Sequence, residues 1–113
     1  MSAIDKITEE CGKWIGYVEK ASNSQLDSFT ANAGDKNYTC FARDYCEYFN
    51  ENINVYQGQP WCAEWVSVMF AKAFGAALAD KMIYGHYAYC PYGVNAFKKA
   101  GRWYTTNPQP GDI

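Results

Sequence analysis

The sequence predicts a mostly helical domain with little sheet, because apolar residues recur at the three- and four-residue spacing of a helix with one buried face. Several of these segments end at a glycine, where helices commonly stop. Only residues 108–113, which include Pro108, Pro110 and Gly111, look like the beginning of a strand. We therefore expect helices joined by loops, with a single strand starting close to residue 113.

The first predicted element is a helix over residues 2–20, followed by a loop over residues 21–37. Ser2 can cap the helix, and its apolar stripe consists of Ile4, Ile7, Cys11, Trp14, Ile15 and Val18. The loop is rich in turn-forming residues and shows no periodicity, so it is long for a compact domain. We expect Leu26 and Phe29 to pin it to the body of the protein.

The second predicted helix covers residues 38–50. Its apolar face would comprise Phe41, Tyr45, Tyr48 and Phe49. Residues 51–60 are predicted to be a loop in which Gly58 can take a positive φ angle.

A buried helix is predicted over residues 62–74, and Cys62 would lie on its first turn. A thiol there faces backbone N–H groups without partners and the positive end of the helix dipole. Both favour the thiolate, which is the form that attacks carbonyl groups. Cys62 is therefore a candidate nucleophile, although a small apolar residue on a core helix is the alternative interpretation.

Two further helices are predicted after Gly75, which is suited to a left-handed helix end. The first covers residues 76–83. The second covers residues 91–100, with Pro91 at its first position and Gly101 as its stop.

Composition narrows the possible functions. A chain of 113 residues with 49% hydrophobic residues suits one domain, and its apolar runs are too short to cross a bilayer. A net charge of −2 gives no reason to expect nucleic acid or a membrane as partner. Five cysteines without a C-x-x-C pair, together with one histidine, favour reduced thiols over a metal site, and we expect no cofactor.

A cysteine nucleophile also needs a base and donors for the oxyanion. His86 is the only histidine, and it is either the base or a surface residue of a loop. Gln57 and Gln59 precede Cys62 and could donate to an oxyanion, or could simply solvate a turn. Aromatic residues that could line a substrate groove, or could cap the core, are Trp61, Tyr87, Tyr89 and Tyr92.

Several blocks of sequence, in this order, resemble the CHAP family of cysteine, histidine-dependent amidohydrolases and peptidases, most closely those of phage endolysins and prophage lysins of Gram-positive bacteria. The Trp-Cys-Ala and Pro-Gly-Asp blocks are its more specific motifs. The blocks are Asn32–Thr39, Phe41–Asp44, Trp61–Ser67, Ala88–Pro91, Asn95–Trp103 and Pro110–Ile113.

This resemblance implies an α+β papain-like domain in which Cys62 attacks an amide of peptidoglycan. It also implies a protein made in the bacterial cytoplasm without a signal peptide, which acts on the cell wall after release. In the family the catalytic histidine follows the Pro-Gly-Asp block, so we expect this chain to be the helical lobe alone and to lack the base. A complementing C-terminal fragment, or self-association through the open edge of the lobe, would then complete it. The alternative is a non-catalytic module of the same fold that binds the wall or a partner.

Overall fold

Helices dominate the computed structural model, which describes residues 1–113. We number the six helices in chain order, and no named strand accompanies them. They are α1 (Ala3–Gly12), α2 (Cys40–Phe49), α3 (Ile53–Tyr56), α4 (Cys62–Phe74), α5 (Ala76–Met82) and α6 (Cys90–Lys99).

Helix α4 is the centre of the fold, since α1, α2, α5 and α6 all pack against it. Its buried residues occupy more than one face and run without a break from Ser67 to Ala71. A helix surrounded in this way needs apolar residues on several sides, which explains why its sequence is apolar almost throughout. None of the six helices has both the length and the apolar character that a membrane crossing requires.

The prediction of one helix over residues 2–20 is wrong beyond Gly12. Ser2 caps α1 as expected, in a capping box with Asp5, but α1 ends at Gly12 and turns follow. Gly16 has a φ of +94°, which breaks the helical path, and Ile15 is consequently 83% exposed rather than part of a buried stripe. Two glycines within five positions weaken a helix that would otherwise continue.

The long loop is held to the body of the protein where we predicted. Phe29 stacks on Trp14 with ring centroids 5.8 Å apart. The Tyr17 hydroxyl donates to the Leu26 carbonyl oxygen and accepts from the Cys40 N–H group, so it joins the loop to the start of α2. The only ladder-like pairing is a pair of isolated bridges from Lys20 to Ala33 and Tyr38.

The remaining helix boundaries differ from the predictions by small amounts. Helix α2 is shorter than 38–50, α5 ends one residue before the predicted 76–83, and a short α3 interrupts the predicted loop over 51–60. Helix α4 keeps its predicted bounds, whereas α6 begins at Cys90, so Pro91 takes its second position rather than its first.

The predicted strand over residues 108–113 is absent. These residues are exposed and contain a turn closed by a hydrogen bond from the Asp112 N–H group to the Gln109 carbonyl oxygen. A strand needs a neighbour for its N–H and C=O groups, and no other strand lies beside this segment.

Candidate active site

Cys62 is the first residue of α4, and its side chain is exposed although Ala63 and Glu64, which follow it, are buried. Trp61 occupies the N-cap position without providing a side-chain hydrogen bond, so the first N–H groups of α4 have no cap. The predicted location of the thiol at an open helix start is therefore confirmed, and its role as a nucleophile stays a prediction.

A second exposed thiol lies beside Cys62. Cys90 is the first residue of α6, and its Sγ atom is 3.2 Å from the Sγ atom of Cys62. The hydrogen bond between the two sulfurs, with burial as a smaller cause, raises the pKa of Cys90, which therefore holds its proton. The starts of two helices thus converge on one pair of sulfur atoms.

Three residues fix the distance between the two helix starts. The Ser67 hydroxyl, on the second turn of α4, donates to the Tyr87 carbonyl oxygen at 2.7 Å and accepts from the Tyr87 N–H group at 3.1 Å. The ring of Tyr87 in turn lies against Gly93 of α6, where a Cβ atom would be 3.0 Å from the ring. These contacts lock the segment before Cys90 onto α4.

Cys62 lies on the wall of three adjoining cavities. The first, of ≈ 480 Å³, lies along α6 and under the C-terminal segment, and Cys90 also lines it. The second, of ≈ 810 Å³, extends between α4 and α1 and is mainly apolar. The third, of ≈ 650 Å³, is lined by both cysteines and reaches toward His86. Molecules of several sizes can therefore approach the sulfur.

The four aromatic candidates separate into two groups. Tyr89 and Tyr92 are 59% and 68% exposed, form an edge-to-face pair at 5.3 Å and line the ≈ 650 Å³ cavity with the thiols. Tyr87 is buried in the core, and Trp61 stacks on Phe41 at 5.5 Å. Tyr87 and Trp61 thus pack in the core, as one of the two interpretations expected, and each also lines a cavity beside Cys62. Their role in binding a substrate stays a prediction.

The two candidate glutamines differ in whether their side-chain amides are already hydrogen-bonded. The side-chain amide of Gln57 accepts from the Thr39 N–H group and donates to the Thr39 carbonyl oxygen, so it supports the start of α2 and is not free to bind an oxyanion. Gln59 is exposed, lines the same cavity as Cys62 and has no side-chain hydrogen bond within the protein. Gln59 alone therefore remains a candidate donor.

His86 makes no hydrogen bond with Cys62. Its Nδ1 atom is 2.8 Å from Asp80 Oδ1, its Nε2 atom is 3.0 Å from Glu51 Oε1, and its ring stacks on Phe49 at 4.3 Å. Both ring nitrogens are therefore occupied by carboxylates. The alternative in which His86 is the base for Cys62, or a free surface residue, is corrected: it is a structural cross-link between α5 and the end of α2.

Glu64 is a buried carboxyl group near the thiols that the sequence analysis overlooked. It is 1% exposed, its Oε2 atom has no hydrogen-bond partner, and burial raises its pKa to about 8. It borders the ≈ 650 Å³ cavity from its position two residues after Cys62. A group of this kind can hold or release a proton near neutral pH.

The sequence analysis includes Cys90 only within the Ala88–Pro91 block, although one sequence feature identifies this cysteine as a further candidate. It stands immediately before a proline at a predicted helix start, which is the kind of position that singled out Cys62. No cluster of three or more histidine, cysteine, aspartate or glutamate side chains is arranged to hold a metal ion.

The chain matches no protein-family profile, no curated protein and no solved structure.

Proposed function

We propose that this chain carries the nucleophile of a cysteine-dependent amidohydrolase or endopeptidase of peptidoglycan, on the helical lobe of a papain-like α+β domain. The observation that carries the proposal is the exposed sulfur of Cys62 at the uncapped start of the central helix, on the wall of three cavities. An inert cysteine of the core would be enclosed, as Cys40 and Cys46 are.

In this reaction the thiolate of Cys62 attacks the carbonyl carbon of a peptide amide. The oxyanion that forms would lie near the free N–H groups at the start of α4, with the amide of Gln59 as a further donor. Loss of the amine leaves an acyl group on the sulfur, and water then releases it. Cys90 stabilises the attacking thiolate by donating its S–H hydrogen to the sulfur of Cys62.

A proton must reach the departing amine. Glu64 can carry a proton, but it is 1% exposed and so is enclosed away from a bound substrate. His86 is held by Asp80 and Glu51. We therefore include in the proposal a histidine supplied by a segment outside residues 1–113 or by another chain. The ≈ 810 Å³ apolar cavity between α1 and α4 offers a surface on which such a segment can pack.

The substrate class rests on the CHAP-like blocks around Cys62 and on the exposed Tyr89 and Tyr92 pair. Aromatic faces with polar edges suit both the sugars and the short peptides of the cell wall. The protein would be made in the bacterial cytoplasm and would act on the wall after release.

The first test measures alkylation. Reduced protein is treated with iodoacetamide at pH 7, and peptide mass spectrometry follows the modification of each of the five cysteines. We expect Cys62 to react more than about tenfold faster than free cysteine, because its exposed sulfur lies at the uncapped start of α4. The buried Cys40 and Cys46 are internal controls and should stay unmodified.

The second test supplies the missing base as imidazole and measures the release of amino groups from muramidase-digested peptidoglycan. We expect release that requires imidazole and that disappears in Cys62→Ser. Slow alkylation of Cys62, with no Cys62-dependent release, would contradict the proposal and favour a module that binds the wall or a partner without catalysis.

A further inference from the structure

Cys62 and Cys90 are arranged for a reaction with each other as well as with a carbonyl group. Their Sγ atoms are 3.2 Å apart. The S–S bond of a disulfide is about 2.05 Å, so a combined approach of little more than 1 Å would join them. Small rotations of two exposed side chains suffice for that movement, whereas the helices that carry them stay locked by Ser67 and Tyr87.

The pair is distinct from the other three cysteines. Cys40 and Cys46 are buried on α2, and Cys11 is half-buried on α1, whereas Cys62 and Cys90 are both exposed and open onto shared cavities. Two helix starts face the pair, and helix starts favour thiolates over thiols. Proximity, access and a position at a helix start therefore coincide only at this pair.

We infer that Cys62 and Cys90 form a dithiol–disulfide site that exchanges with a low-molecular-weight disulfide. The thiolate of Cys62 attacks one sulfur of the small disulfide, which forms a mixed disulfide and releases one small thiolate. Cys90 loses its proton to solvent and attacks the sulfur of Cys62, which closes the Cys62–Cys90 bond and releases the second small thiolate. Two electrons pass from the protein to the small disulfide, and the one proton released is that of Cys90.

The order of attack follows from access to the two sulfurs. Cys62 lies on all three cavities and Cys90 on two of them, so a small disulfide can reach Cys62 from more sides. The raised pKa of Cys90, caused mainly by its hydrogen bond with Cys62, agrees with Cys62 as the first attacking atom and Cys90 as the resolving one. In a variant without Cys90, the exchange should stop at the mixed disulfide on Cys62.

The closed disulfide would also regulate the proposed hydrolase, a consequence that rests on the proposed function of Cys62. A sulfur bonded to Cys90 cannot attack an amide. The cytosol keeps thiols reduced and extracellular environments favour disulfides. The released protein would therefore cleave the wall only until its Cys62–Cys90 pair is oxidised, so closure of the disulfide would limit the time over which it acts.

The experiment exposes the reduced protein to oxidised glutathione, unfolds it in denaturant, alkylates the remaining thiols and maps the cysteines by mass spectrometry. In the wild type we expect loss of two of the five alkylation sites and a peptide that links Cys62 to Cys90. Cys90→Ser should accumulate a glutathione adduct on Cys62. Cys11→Ser is the matched control and should form the linked peptide as the wild type does.

The inference is overturned if glutathione stays attached to Cys62 in the wild type, or if both cysteines remain free while the denatured chain reacts. These measurements need no hydrolytic activity. A linked peptide without any peptidoglycan cleavage in reducing buffer that contains imidazole would therefore refute the proposed hydrolase and leave the dithiol site standing. Cleavage without a linked peptide would do the opposite.

Discussion

Replacing Glu64 by glutamine should remove most of a pH dependence from the stability of this protein. Burial raises the pKa of Glu64 to about 8 from an ordinary value of 4.5. Between these pH values the carboxyl group is protonated in the folded protein and ionised in the unfolded chain, so unfolding releases a proton. The free energy of unfolding therefore falls as the pH rises through this range and levels off above pH 8.

The size of the effect follows from the pKa. A rise from 4.5 to about 8, at about 1.4 kcal/mol per pH unit, destabilises the folded wild type by roughly 5 kcal/mol at high pH. The amide of Glu64→Gln stays neutral and costs about 1–3 kcal/mol at all pH values, because it is buried without a partner. The stability of the variant relative to the wild type should thus rise by roughly 4 kcal/mol between pH 5 and pH 9.

Urea unfolding followed by tryptophan fluorescence measures this difference, since the chain has four tryptophans. Tyr45, Cys46 and Tyr56 lie around Glu64, and their pKa values are raised from ordinary values that already lie near or above pH 9. Glu47→Gln, at an exposed position on α2, should follow the wild-type profile. If the difference between Glu64→Gln and the wild type does not change with pH, the carboxyl group is not protonated in the fold and the reasoning fails.

Three further substitutions test the packing that positions the site, each by the same unfolding measurement. Gly34→Ala places a Cβ atom 2.6 Å from the Ala21 Cβ atom and should cost about 1–3 kcal/mol; a neutral result would contradict this close approach. In Gly12→Ala, at the end of α1, the added Cβ atom has no other heavy atom within 4 Å, so the free energy of unfolding should rise by about 0.5–1 kcal/mol. A fall in that free energy would show that the glycine is required. Ser67→Ala leaves the backbone of Tyr87 unsatisfied, so we expect a loss of about 2–4 kcal/mol and slower closure of the disulfide; unchanged closure would refute the role of Ser67 in placing the thiols.

Part of the fold could be predicted because the relevant forces act within short segments. Helix α4 has its predicted bounds, since an apolar run with a proline before it and a glycine after it constrains both ends locally. The capping of α1 by Ser2 is local in the same sense, and so is the positive φ of Gly58. By contrast, the apolar period continues past Gly12 and hides the end of α1, where Gly16 takes a positive φ and Trp14 packs on the long loop.

In the candidate site, some features depend on residues adjacent in sequence and others on partners far away in the chain. The open helix start under Cys62 depends on residues adjacent in sequence, and it was predicted from them. His86 and Gln57 have side chains suited to catalysis, but partners elsewhere in the chain occupy both. His86 is held by Asp80 and Glu51, and Gln57 is held by Thr39. The chemistry of a residue type limits what it can do, and its neighbours in space decide whether it is free to do it.

Residue order along this chain was thus sufficient for the helical content, the bounds of α4 and the position of Cys62 on it. Tertiary packing alone decided that Cys90 lies beside Cys62, 28 positions away in sequence, and that Glu64 is buried without a partner. Periodicity and capping depend on residues within a few positions of each other, whereas the distance between two sulfurs and the hydration of a carboxyl group depend on how separate helices pack.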